Sequence, residues 1–124
     1  MTDTEIADNK AAAEKVFNIL QLFRSIDPQM PIGAARSFLL IAAEQGKSVT
    51  DLKSRGGHAL ASASRYHRYL GEIDRNQKPG MGLVVAKQNV EDSRKKSLKL
   101  TPKGRLLMGG LNAILQRKVK PSST

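Results

Sequence analysis

Arg65 and Arg68 stand one helical turn apart in a stretch, Ser62 to Asp74, whose inward positions Ala63, Tyr66 or His67, Leu70 and Ile73 recur at helical spacing. On such a helix both guanidiniums leave the polar face. There a planar five-donor fork can grip a phosphate or pair bidentately with a guanine edge. The plainer alternative is a solvated helix face. Ser62 and Ser64, at the helix start, can donate to phosphates or base edges, and Ser62 can equally act only as the N-cap. Arg94, Lys95, Lys96 and Lys99 form a second basic segment, with Asp92 two positions before Arg94. An arginine at the tip of a turn can enter a narrow minor groove, held in place by a neighbouring carboxylate. Alternatively it meets only phosphates from a charged loop. The three lysines are phosphate neighbours, adding affinity without reading sequence. Lys53 and Arg55 make a third, smaller basic group ahead of the helix.

Other chemistries find little footing. Ser, His and Asp are all present, but no Gly-x-Ser-x-Gly elbow presents a nucleophile. His58 and His67 lie nine positions apart and match no metal-ligand spacing, and the absence of Cys removes disulfides and thiolate sites. Gly109-Gly110 and Gly80-Met81-Gly82 are followed by no Lys-Ser/Thr and are not phosphate loops. The expectation is a protein that is not an enzyme and carries no cofactor and no metal.

The charge distribution favours an anionic partner. The chain has 124 residues and a net charge of +10. Residues 1–46 carry four basic and six acidic groups, whereas residues 47–70 carry five against one and residues 75–105 nine against two. The first third therefore reads as scaffold or interface, and the later two segments as the contact surface. With 40% hydrophobic residues there is enough apolar material for one modest core. No apolar run approaches the ~20 residues of a membrane span, and the polar start is no signal peptide, so a cytoplasmic protein with no membrane partner is expected.

These residues need elements to hold them. A helix is predicted over 10–26 from Val16, Phe17, Ile19, Leu20, Leu22, Phe23 and Ile26, ended by Asp27-Pro28. A second runs from Ile32 to about Gln45, with Ile32, Ala35, Phe38, Leu39, Ala42 and Ala43 inward. A short third helix follows Ser48, then Gly56-Gly57 forces a turn into the helix bearing Arg65. Leu83 to Ala86 and Ser97 to Leu100 read as the strands of a hairpin. Thr101-Pro102 caps a last helix over 102–117, built on Leu106, Leu107, Met108, Leu111, Ile114 and Leu115. The fold class is mainly α with a small β-hairpin (α+β). Residues 1–9 and 118–124 are expected to be flexible tails around one domain, 10–117. Within it, 48–74 form a helix-turn-helix and 83–100 a wing. Helix 62–74 would enter the major groove, and the wing, 87–99, would lie at the minor groove or backbone.

Three pieces of the sequence resemble the MarR family of winged helix-turn-helix regulators. Ser62-Ala63-Ser64-Arg65-Tyr66-His67-Arg68-Tyr69-Leu70 is similar to that family's recognition helix, and Gly82-Leu83-Val84 to the start of its first wing strand. Asp92-Ser93-Arg94, followed by Leu98-Lys99-Leu100-Thr101-Pro102-Lys103-Gly104, resembles its Asp-x-Arg wing tip and Leu-Thr-x-x-Gly strand end. The resemblance implies a sequence-specific transcriptional regulator, most simply a repressor, acting on double-stranded DNA as a homodimer. It also implies that Asp92 supports the wing tip and that helices 10–26 and 102–117 join the two subunits. It allows a small-molecule effector, to which no residue here points. Between Leu70 and Gly82 the chain carries several more residues than the family's compact turn. That departure fits a divergent member of phage or plasmid type and leaves the wing's position relative to the recognition helix open. The alternative reading is an architectural or DNA-partition protein of low selectivity. An RNA-binding role is weaker, since 4% aromatic residues offer few stacking platforms.

Overall fold

The computed structural model describes residues 1–44, 66, 68–71, 80–88 and 96–117. Helix α1 spans Asp3–Ile26 and α2 Ile32–Ala43. Helical residues 66 and 68–70 follow. An antiparallel hairpin, β1 (Val84–Gln88) and β2 (Lys96–Leu100), leads into α3 (Pro102–Gln116).

Helix α1 begins seven residues before the expected start, so residues 3–9 are helical and not a frayed tail. The cause is Thr2 as N-cap, with Glu5 three positions on. The Glu5 N–H donates to Thr2 Oγ1 at 3.1 Å, and the Thr2 hydroxyl lies 3.2 Å from Glu5 Oε1. Asp3 and Glu5 also sit where the helix dipole favours negative charge. At the other end Asp27 makes the corner. Its N–H returns to the Phe23 carbonyl, its carboxylate accepts the Gln29 N–H at 3.0 Å, and its carbonyl accepts from Met30. The Pro31 carbonyl then starts α2 by accepting from Ala34 and Ala35.

The core joins every described element. Phe23 of α1 and Phe38 of α2 meet edge to face with ring centroids 5.9 Å apart. Ala34, Ile41, Leu70, Leu83, Val84, Leu98, Leu100, Leu107 and Leu111 complete the buried set. The hairpin register pairs Val84 with Leu100 and Ala86 with Leu98, which puts these four on one face; α2 and α3 both contact β2. Helix α3 packs against α1, with Leu22 so near Gly110 that a Cβ there would come within 2.9 Å of it.

Several faces differ from expectation. On α2 the buried residues are Ala34, Ser37, Phe38 and Ile41, whereas Ile32 and Leu39 are exposed. Helix α2 is apolar nearly all round, so its periodicity does not select a face. Val16, Phe17 and Leu20 of α1 are more than half exposed, as are Leu106 and Leu115 of α3; Phe23, Leu107 and Leu111 face the core. The strands also run further than expected, β1 to Gln88 and β2 from Lys96. No described helix is long and apolar enough to cross a membrane.

Candidate nucleic-acid interface

Of the residues singled out for DNA contact, Arg68 and Lys99 are placed with their side chains, and both are exposed. Arg68 lies two positions from both Tyr66 and Leu70, so it leaves the side of the helix opposite those two inward residues. Lys96 pairs with Gln88 at the far end of the ladder. Lys53, Arg55, Ser62, Ser64, Arg65, Asp92, Arg94 and Lys95 lie outside the described residues, as do the short third helix and the glycine turn.

The hairpin contributes a cation that the sequence reading omitted. The register sets Val85 opposite Lys99 and Lys87 opposite Ser97, so these four share the face away from Leu98 and Leu100. Lys87 and Lys99 are diagonal neighbours on that face, and both are exposed. Extending the predicted strand by two residues past Ala86 would have revealed the pair.

The root of the hairpin is bonded directly to the end of the helical residues. The Met81 N–H donates to the Tyr69 carbonyl at 2.9 Å, Gly82 to Gly71 at 2.8 Å and Leu83 to Leu70 at 2.7 Å. Gly80 lies against the carbonyl oxygens of Gly71, Tyr69 and Arg68, where a Cβ would collide with backbone, and Gly82 takes φ +68°, open to glycine at little cost. Thr101 secures the other side. Its hydroxyl donates to the Gly82 carbonyl at 2.7 Å and accepts the Gly104 N–H at 3.0 Å, capping α3. Lys103 Nζ reaches the Met81 carbonyl at 2.9 Å. The extra residues between Leu70 and Gly82 therefore do not carry the wing away from the helix, because its root starts at the helix end.

The same helical residues are tied to the α1–α2 corner. The Tyr66 ring lies against Gly33, and the Tyr69 hydroxyl donates a hydrogen bond to the Asp27 carboxylate. That bond, with help from the Gln29 N–H, lowers the Asp27 pKa from its ordinary 3.8. Partial burial, then the bond to Asp27 and its charge, raise that of Tyr69 well above the usual tyrosine range.

This architecture is shared with solved MarR-family structures. A mutant of MepR from S. aureus, bound to an oligodeoxyribonucleotide, matches with a TM-score of 0.67 at 17% identity, over 93% of this chain and 78% of that one. The transcriptional repressor CouR, bound to a 23-mer DNA duplex, matches with 0.60 at 21% identity, over 88% of this chain and 70% of that one. A MarR transcriptional regulator from Methanosarcina mazei Go1 matches with 0.60 at 17% identity, over 90% and 75%. No family model and no curated protein matches the sequence at a significant level. The fold is thus a MarR-like winged helix, mainly helical with one antiparallel wing hairpin.

Proposed function

We propose that the protein is a sequence-specific DNA-binding transcriptional regulator, a repressor that occludes a promoter by binding a pseudo-palindrome as a two-fold dimer. The observation that carries this reading is the bonded unit of helix end and wing root, with Arg68 exposed on one part and Lys87 and Lys99 on the other. A rigid pairing of that kind suits simultaneous contact with a groove and the adjoining backbone. Two solved relatives of this fold hold DNA, and one of them is a repressor. In this reading the helix expected over 62–74, which ends at Leu70 with Gly71 in a bend, enters the major groove. Arg65 pairs with a base edge there, while Ser62, Ser64 and Arg68 fix the register on phosphates and Lys53 and Arg55 flank the site. Arg94, steadied by Asp92, reaches the minor groove, and Lys87, Lys95, Lys96 and Lys99 neutralise phosphates.

The dimer would form through α1 and α3. Ile6, Val16, Phe17 and Leu20 are all at least half exposed; Ile6, Phe17 and Leu20 share one side of α1, and Val16 borders the side of the core-facing Ile19 and Phe23. Residues 1–46 carry four basic and six acidic groups, so the strong positive charge that would drive two subunits apart is concentrated elsewhere in the chain. No step of this function needs a catalytic group or cofactor.

The deciding experiment compares affinity for a duplex selected by the protein from a random pool with affinity for a scrambled duplex at fixed salt. A ratio of ~10³ or more marks a regulator. A ratio near one marks the architectural or DNA-partition role, which the net charge of +10 favours. Arg65→Ala should then cost about 1–3 kcal/mol on the selected site and relax preference at one base pair per half-site. Arg94→Ala should weaken binding while leaving that preference intact.

A further inference from the structure

Two partly buried tyrosines hold the helix that would touch DNA. Tyr66 lies against Gly33, in the first turn of α2, where a Cβ would come within 2.5 Å of its ring carbons and hydroxyl. Tyr69 donates its hydroxyl to Asp27, the residue that ends α1. Both contacts fall on residues 27–33, the corner between α1 and α2. Tyr69 is also the residue whose carbonyl accepts the Met81 N–H at the wing root. One residue thus joins the end of α1 through its side chain to the wing through its main chain. Helix α1 in turn carries the exposed apolar stripe Val16, Phe17 and Leu20.

We infer that Tyr66 on Gly33 and Tyr69 on Asp27 are positioning contacts, which set the pitch of the DNA-reading helix against the α1–α2 corner and so tie base selection to the helix that carries the dimer stripe. The inference rests on the regulator reading above. Its leverage follows from geometry. In the regulator reading Ser62, seven positions before Tyr69, would stand about 10 Å along the helix, so a 10° tilt about the corner would move the helix start by ~2 Å. A base-edge hydrogen bond does not survive such a shift, whereas phosphate attraction, being long-ranged, largely does. The Tyr69–Asp27 bond has a charged acceptor and is of the stronger kind. Gly33 leaves no room for a side chain unless Tyr66 moves.

The test uses the full-length chain, with a duplex that the wild-type protein selects from a random pool and a scrambled duplex of the same length and composition. Tyr69→Phe and Gly33→Ala should each lower affinity for the selected duplex ~10-fold, about one bidentate base contact. Affinity for the scrambled duplex should stay within ~2-fold and the salt slope should not change, because no charge is removed. Asp27→Asn, which keeps an acceptor, should retain most of the selectivity, and Asp27→Ala should lose it. Thermal melting is followed for each variant, and if Gly33→Ala fails to fold, Tyr69→Phe and the two Asp27 variants carry the test. An unchanged selected-to-scrambled ratio in Tyr69→Phe overturns the inference and leaves the regulator reading intact. An equal fall on both duplexes also overturns it, since that is what general loosening produces. A wild-type protein that selects no sequence overturns the regulator reading and this inference together.

Discussion

Replacing Thr101 with Val tests how the wing is joined to α3. The substitution keeps size and β-branching but deletes the hydroxyl. Two partners are then stranded in a part-buried setting: the Gly104 N–H, 3.0 Å away, and the Gly82 carbonyl, 2.7 Å away. Losing an N-cap costs ~1 kcal/mol, and losing the second hydrogen bond about as much again, for a total of ~2 kcal/mol. An unfolding entropy of ~2.1 cal/mol/K per residue over a chain of this length gives ~0.26 kcal/mol/K, so Tm should fall by ~8 °C. Thr101→Ser keeps the hydroxyl and should lie within ~0.5 kcal/mol of wild type. The assay is thermal and urea denaturation of the three proteins at one protein concentration, because a dimer's stability depends on concentration. The reasoning fails if Thr101→Val is as stable as wild type. It also fails if Thr101→Ser is as damaged as Thr101→Val, since serine keeps the hydroxyl and a loss it shares does not come from deleting that group.

Removing Lys87 and Lys99 together should flatten the salt dependence of duplex binding. If a dimer meets ~8 phosphates the log–log slope is near −7, and losing four contacts brings it to about −3.5 with base preference unchanged; a slope that stays put means this face does not meet DNA. Phe17→Glu should shift sedimentation toward the monomer without unfolding the protein, because the ring is 59% exposed; an unchanged mass at tens of micromolar would refute the α1 interface. The bond between Tyr69 and Asp27 should register in alkaline denaturation. A raised folded pKa means that the Tyr69 contribution is full below its unfolded value of 10.0 and is lost as pH rises through the higher folded one. The urea-midpoint difference between wild type and Tyr69→Phe should thus be larger at pH 8 than at pH 11, and equal differences would count against the bond. For Asp27 the sign is opposite: its contribution is present above 3.8 and lost as pH falls through the lowered value.

Local signals in the sequence located most of the described elements. Thr101-Pro102 announced α3, and alternation at Leu98 and Leu100 announced β2, because caps and strand faces are written in neighbouring residues. Thr2-x-x-Glu5 is equally local, but the exposed turns it caps lie ahead of the apolar stripe that begins at Val16 and are mostly polar, so periodicity alone does not extend the helix back to them. Which face of α2 turns inward was not legible, because a helix that is apolar nearly all round leaves the choice to its partners, among them the Phe23 ring. The wing's position was not legible either. It depends on hydrogen bonds between residues about a dozen positions apart, and counting residues between Leu70 and Gly82 cannot reveal them. Helical spacing offers Tyr66 or His67 as the inward residue and gives Tyr69 no particular role. Their partners Gly33 and Asp27 are more than thirty positions away, beyond any local pattern.

The bonds between residues 69–71 and 81–83 also bear on how freely this chain can change in length. Gly71 and Gly80 are pinned at one place in the fold. Joining two fixed points costs only ~0.6 kcal/mol more for each doubling of the number of residues between them. A change in that number is therefore nearly uncoupled from the placement of the wing, and a peptide tag spliced between Gly71 and Gly80 should leave the hairpin seated on the helix. Gly80 is bound by the opposite rule: a single added methyl has to displace backbone oxygens that the helix end and the wing root share.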